Sequence, residues 1–483
     1  MELTTALEQA NAAYAAQDWE TAAQRYAAIL AEHGYQALRW WYRRLGWCTK
    51  HLPAEQQVAL WEASWDEVAK TADQCLSSAR RGEFDLATHQ FDGLIELVPT
   101  EEAAKADWRA AFRAVCAVKA AAVPYPRTSR FRRRLARLQR RLTRRLKREI
   151  ARARQAIRPH AATQGFCPKI MVAGHGWSGS TALYDYFCEF ADAAAVKGEI
   201  ALFWSRPNLG DLWQTLQRGQ PAEDILIDYF GAGLLGAGVW RDYHAGINIF
   251  KARRYATNQG SRLSYARAAR RFCERLAQSA QRRRLSAESF AETAARLIDD
   301  VVSALSPADE RPQPAKSRVI LLDNPISMPR LDLSGLVRNA TIFCVYRDMR
   351  STYVSRKREA GVGAETIDQY LDSRHHNPWR VRQLVRELKV PNRIIEVQFE
   401  EFVTSRAYRL ELAQQAGLDA SAQNEFSFFR PWESIKNVFL HEGYEHPEEI
   451  RRIEEAFPEF CRDLEALRTT IDKTGWPDDA TVD

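Results

Sequence analysis

Residues 168–190 read PKIMVAGHGWSGSTALYDYFCEF, and this stretch decides the fold. Ile170 to Ala173 is an unbroken apolar run, the composition of a strand covered on both faces. Gly174-His175-Gly176-Trp177-Ser178-Gly179-Ser180-Thr181 follows as a glycine-rich turn, and Ala182 to Phe190 reads as a helix. A strand, such a turn and a helix start together make an anion cradle. Glycines let the backbone approach the anion, and the free N–H groups at the helix start turn partial positive charge toward it. The spacing from Gly174 to Gly179 fits the nucleotide loop GxxxxGK[ST], but Ser180 stands where the lysine belongs. That lysine serves the β and γ phosphates of a triphosphate, so its absence argues against ATP or GTP.

Outward from this stretch the chain alternates. Strands are expected at 169–173, near 194–200, and at 317–322, 341–345 and 393–397, with helical pattern between them. Alternation of this kind predicts a parallel sheet covered by helices, with ligands at the carboxyl ends of the strands. One of those ends carries a second motif. Residues 341–358, TIFCVYRDMRSTYVSRKR, run from an apolar strand into Arg347-Asp348, and Ser355 follows eight residues after the arginine. A guanidinium fork matches phosphate oxygens, and a hydroxyl further along the next helix adds a donor.

These two motifs, in this order, resemble the 5′-phosphosulfate loop and the 3′-phosphate motif of sulfotransferases that use 3′-phosphoadenosine 5′-phosphosulfate (PAPS). The likeness extends over roughly residues 167–470. It takes in Arg393 to Glu401 (RIIEVQFEE), similar to a late strand-to-helix segment of that family, and Ser434-Ile435-Lys436-Asn437 ahead of HPEEIRRIEEAF. The resemblance implies a P-loop-like α/β domain over 166–475, with an insertion at about 207–311. It implies that Gly176, Trp177, Ser178, Gly179, Ser180 and Thr181 hold the phosphosulfate. It also implies that Arg347 and Ser355 grip the 3′-phosphate, and that Ser434, Lys436 and Asn437 close over that end. The implied reaction is transfer of a sulfuryl group from PAPS to a hydroxyl or amine of a carbohydrate or glycolipid, with no metal required.

Such a transfer needs a base to take the acceptor's proton and cations to stabilise the departing phosphate. In the carbohydrate branch of the family a glutamate shortly after the second strand serves as base, which points to Glu199, with His175 and His244 as alternatives. Trp177 departs from the family, which has Lys or Arg there; Lys251 and Arg241 in the insertion are the expected substitutes. Trp204, Trp213, Trp240 and Tyr243 are the aromatics available to stack on sugar rings. Two other readings stay open: a P-loop kinase using the acidic strand end of Val319 to Asp323, and an inert nucleotide-binding scaffold.

Ahead of residue 123 the chain reads as helical and repetitive. Gln17 to Leu30 and Arg81 to Pro99 both resemble tetratricopeptide repeats, with Trp19, Ala22, Tyr26 and Leu30 in the first and Gly82, Phe84, Ala87, Phe91, Ile95 and Pro99 in the second. Their alanines, Ala22 and Ala87, lie 65 residues apart, near two 34-residue periods, so a degenerate unit is expected around Trp47 to Ala79. Arrays of this type bind protein partners on a concave face.

Pro124 and Pro126 open a segment at 123–165 of different character. Between Arg127 and Arg158 fifteen Lys/Arg face the single acid Glu149; this segment carries +14, and the rest of the chain −7, of the net +7. Phe131, Leu135, Leu138, Leu142, Leu146 and Ile150 recur at the period of one helix face. A basic amphipathic helix over 130–158 is suited to an anionic membrane surface, or it packs its leucines inward and solvates its arginines. No nucleic-acid reading module accompanies it, so nucleic acid is not the expected partner. The eight cysteines show no C-x-x-C pair or metal-ligand spacing. No secretory signal or bilayer-length apolar run is evident, so a cytoplasmic protein, peripheral at the inner membrane if the basic helix binds it, is expected.

Overall fold

The computed structural model describes residues 3–33, 44–45, 48, 51–53, 56, 65–97, 102–122, 165–199, 203, 207–231, 259–281, 285–305, 319–358, 366–374, 382–383, 385, 387 and 391–477. The chain divides into two compact units. One comprises Met1–Thr163, Ser205–Ile249 and Arg253–Val301; the other comprises Gln164–Trp204, Phe250–Ala252 and Val302–Asp483. The basic segment at 130–158 lies outside the described residues, as do Trp204, Arg241, Trp240, Tyr243, His244 and Lys251.

The elements follow in chain order. Five helices come first: α1 (Leu3–Ala15), α2 (Trp19–His33), α3 (Trp65–Arg80), α4 (Phe84–Leu97) and α5 (Glu102–Ala122). Then come β1 (Lys169–Gly174), α6 (Ser180–Cys188) and β2 (Ala193–Glu199), followed by α7 (Leu209–Gln217), α8 (Glu223–Tyr229), α9 (Gln259–Gln281) and α10 (Ala287–Leu305). The last third holds β3 (Val319–Asp323), β4 (Ala340–Tyr346), α11 (Met349–Arg358), α12 (Ile367–Arg374), β5 (Arg393–Gln398) and α13 (Phe399–Thr404). It ends with α14 (Arg406–Ala416), α15 (Pro431–Val438), α16 (Pro447–Ala456) and α17 (Leu464–Arg468).

In the first unit two helical hairpins share one design at an offset of 65 residues. Each turn is made by a left-handed residue, Gln17 (φ 60°) between α1 and α2 and Gly82 (φ 79°) between α3 and α4. The main-chain bonds correspond one for one. Gln17 N donates to Tyr14 O and Asp18 N to Ala13 O; Gly82 N donates to Ala79 O and Glu83 N to Ser78 O. This pairing is a Schellman cap, which satisfies the last carbonyls of the first helix while reversing the chain. Ala22, Tyr26 and Leu30 are buried in one hairpin, and their counterparts Ala87, Phe91 and Ile95 in the other. Of the degenerate unit expected at 47–79, residues 47, 49–50, 54–55 and 57–64 lie outside the described residues; α3 supplies its second half.

Helix α5 is buried nearly all round, as expected of a helix at the centre of a unit. Its Phe112 stacks on Phe91 at 4.3 Å between ring centroids, and its Trp108 packs against Tyr265 of α9 at 5.8 Å. Burial on every side forces its charges to find partners. Asp107 takes Arg270 at 2.7 Å, Arg113 takes Asp92 at 3.0 Å, and the Lys105 ammonium donates to Glu96 O at 3.1 Å.

The second unit is built on a five-stranded, all-parallel sheet in the order β2-β3-β1-β4-β5. β1 is central because Ile170, Met171, Val172 and Ala173 are apolar on both faces, and all four are fully buried. Leu183 and Phe187 of α6 cover the sheet with Phe402 and Leu412, and Phe187 meets Phe343 of β4 at 4.9 Å. Each such side chain stabilises the fold by about 1.5–3 kcal/mol. The order places the topological switch between β1 and β4: the chain leaves β1 toward β2 on one side and β4 toward β5 on the other. Among the described residues no helix is long and apolar enough to cross a membrane.

Candidate functional site

At the carboxyl end of β1 the backbone turns tightly on itself. Ser178 N donates to His175 O at 2.9 Å, Trp177 adopts φ 66° and Gly179 φ 84°. A Cβ on Gly179 would lie 2.2 Å from the Phe399 ring, and one on Gly174 would lie 2.3 Å from Ser178 Oγ, so both glycines are needed for space. Gly179 caps α6 without any side-chain hydrogen bond to the helix start. The Ser178 hydroxyl is buried and has no hydrogen-bond partner among the described residues. The end of β3 braces the loop from below. Asn324, at φ 42°, accepts from Gly174 N at 3.1 Å and donates to Ser180 Oγ at 3.3 Å. Gly176 and Thr181 are exposed, and His175 and Trp177 half-buried.

The neighbouring strand end, after β4, is organised by charge. Arg347 is 8% exposed, and its two terminal nitrogens are both occupied by main-chain carbonyls: Nη1 donates to Trp177 O at 3.0 Å and Nη2 to Asn437 O. Its guanidinium lies 5.1 Å from the Phe399 ring centroid, and its Nε is buried without a partner among the described residues. Burial brings its pKa down to about 10. Arginine at this position therefore ties the β1 loop to α15.

Asp348 beside it caps α11 from its own side chain, accepting from Arg350 N at 2.9 Å and Ser351 N at 3.4 Å. It also takes the Arg350 guanidinium at 2.7 Å and Arg462 N at 2.8 Å. Beneath lies Glu400, fully buried at the start of α13, whose Oε1 accepts from Asp348 N at 2.7 Å and whose Oε2 has no partner among the described residues. Burial raises the Glu400 carboxyl to about 7. The Asp348 N–H opposes the rise, the Asp348 charge adds to it and Arg347 opposes it.

The structure brings most of the expected residues to one end of the sheet. Ser355 is half-buried on α11; on α15, Ser434 and Asn437 are half-buried and Lys436 is exposed. Glu199 ends β2 in register with Asp323 of β3, at the same end of the sheet, and its side chain is outside the described residues. Lys251 is likewise outside them, and Trp213 is half-buried on α7 of the other unit. Four residues here escaped the sequence reading: Asn324, Phe399, Glu400 and Arg356. The last places its guanidinium 5.0 Å over the Trp177 ring. Asn324, directly after the apolar β3, was the one with a local signal, since Asn at a strand end tolerates positive φ. The chain matches no protein-family model, no curated protein and no solved structure.

Proposed function

We propose that this protein transfers a sulfuryl group from PAPS to a hydroxyl or amine of a carbohydrate or glycolipid acceptor. One observation carries the reading: a glycine-shaped, uncapped helix start with a buried orphan hydroxyl, Ser178, faces the topological switch of a parallel sheet beside an arginine-bearing strand end. Ligands of open α/β sheets bind at such switch points, and the strand order and strand–loop–helix of 169–188 support a P-loop-like domain. The two hairpins at a 65-residue offset support tetratricopeptide-like repeats ahead of it, which would serve a protein partner.

In this reading the N–H groups of Gly179, Ser180 and Thr181 and the Ser178 hydroxyl hold the 5′ end of the nucleotide, and Ser355 faces the 3′-phosphate. Arg347 orders the loop through its two carbonyl bonds, and its unpartnered Nε–H remains as a donor for the 3′-phosphate. Glu199 or His175 takes the acceptor's proton as its oxygen or nitrogen bonds to sulfur. The bond from sulfur to the bridging oxygen breaks, and the electron pair stays on the phosphate. Membrane attachment through 130–158 would suit a glycolipid acceptor.

Calorimetry decides the reading. The product nucleotide, adenosine 3′,5′-bisphosphate, should bind at least about tenfold tighter than AMP, because one charge-assisted bond to the 3′-phosphate is worth roughly 1.5–3 kcal/mol. Equal affinity for the two overturns it, and magnesium-dependent ATP turnover would replace it with the kinase reading that Asp323 allows.

A further inference from the structure

The loop lacks the cation that the reaction asks for, because Trp177 occupies its place. The geometry points to Arg356 as that cation, carried to the loop on the face of Trp177. This inference rests on the sulfuryl-transfer reading and deepens it. Arg356 follows Ser355 on α11, and its guanidinium carbon lies 5.0 Å from the Trp177 ring centroid, within the range over which an arginine is held by an aromatic face. Trp177 itself is held in an uncommon conformation. At φ 66° a bulky side chain sits where glycine is usual, and the Arg347 bond to its carbonyl fixes it there.

Two arginines from one strand–helix unit therefore grip a single loop residue, one at its carbonyl and one at its ring. The indole is a platform that lets a cation from α11 stand where a loop lysine would. A guanidinium presents several donors in a plane. It is thus suited to two oxygens of a phosphosulfate at once. Arg356 stabilises the negative charge that accumulates on the bridging oxygen as the bond to sulfur breaks and the acceptor's oxygen or nitrogen bonds to sulfur, while the acceptor's proton goes to Glu199 or His175.

The test uses the full-length protein and three nucleotides: adenosine 3′,5′-bisphosphate, AMP and adenosine 3′-monophosphate. Arg356→Ala should weaken the bisphosphate about ten- to a hundredfold while leaving adenosine 3′-monophosphate unchanged. Trp177→Ala should weaken the bisphosphate similarly, and the double variant should be little worse than either single one, because the two act as one unit. Arg356→Lys, which keeps the charge and loses the fork, should recover part of the affinity; Arg356→Gln serves if the alanine variant melts early. Wild-type affinity for the bisphosphate in both Arg356→Ala and Arg356→Gln overturns the inference. So does an equal loss for the bisphosphate and adenosine 3′-monophosphate. Either result leaves the parent reading intact, provided the wild-type protein still prefers the bisphosphate to AMP. Failure of that preference removes the parent reading first.

Discussion

Two helix starts lie side by side at the carboxyl end of the sheet and are finished in opposite ways. α6 begins at Gly179 with no side-chain cap, whereas α11 begins at Asp348, whose carboxylate accepts from Arg350 N and Ser351 N. A helix start carries about half a positive charge and several unpaired N–H groups. At α11 the protein's own carboxylate has consumed them. At α6 no side chain takes them, and the unpartnered Ser178 hydroxyl lies beside them. Adjacent strands of one sheet thus divide the labour: the end of β1 supplies backbone donors, and the end of β4 supplies side chains and the scaffold that holds them.

If that division is correct, damage at the two ends should separate into stability and binding. Asp348→Ala should have the largest effect. It removes a fully buried carboxylate that pairs with Arg350 and caps α11, and breaking such a pair costs about 3–5 kcal/mol. Urea denaturation should report the loss; a variant of near-native stability would show that this strand end is not the scaffold. Gly179→Ala should come next, combining a left-handed backbone with a methyl driven into Phe399. Strain and overpacking together should cost roughly 2–5 kcal/mol, and nucleotide binding should disappear with the loop geometry. Retained binding in a folded Gly179→Ala protein would break the comparison at its other end.

The third test is pH. Glu400 titrates near 7 in the folded chain against an ordinary 4.5, chiefly through burial. A carboxyl raised in the folded state binds its proton more tightly there. The stability it contributes is therefore complete below pH 4.5 and lost as pH rises through 7. The shift corresponds to a loss on the order of 3 kcal/mol. Glu400→Gln keeps an acceptor for Asp348 N and cannot ionise, so its stability should be flatter over pH 5–7 than that of the wild-type protein. Parallel curves for the two proteins would assign the slope to another group.

The readable and unreadable parts of this site follow from how far apart its pieces lie in the chain. The β1 loop was legible because strand, glycines and helix start are contiguous, and local geometry depends on neighbours. Arg347 was legible because a charge directly after five apolar residues has to lie at a strand end. Glu400 and Glu401 look alike in FEEF, yet Glu400 is fully buried and Glu401 is half-exposed. Only the packing of α13 under Asp348 separates them. Arg356 was hidden in the run Arg356-Lys357-Arg358, which by composition reads as a solvated helix end, and its ring partner is 179 positions earlier. The hairpins show the same rule from the other side. Gln17 and Gly82 make the same turn, but only glycine announces it, so the first turn was read from its flanking aromatics and alanines.

The smallest expected effect is the one that separates the two strand ends most cleanly, because its two readouts move in opposite directions. Ser178 is buried with an unpartnered hydroxyl, and a buried polar atom without a partner is a cost to the free protein. Ser178→Ala removes that cost, so the variant should be as stable as the wild-type protein or more stable by up to about 1 kcal/mol. If the hydroxyl is kept for a ligand, the same change should weaken adenosine 3′,5′-bisphosphate by roughly three- to tenfold, the worth of one ordinary hydrogen bond. No alanine substitution at the β4 end should behave this way, since Arg347, Asp348 and Ser351 all have partners within the protein. A Ser178→Ala protein that loses stability and keeps its affinity would mean that the hydroxyl serves the fold. The uncapped start of α6 would then be a gap in the structure and not a place for an anion.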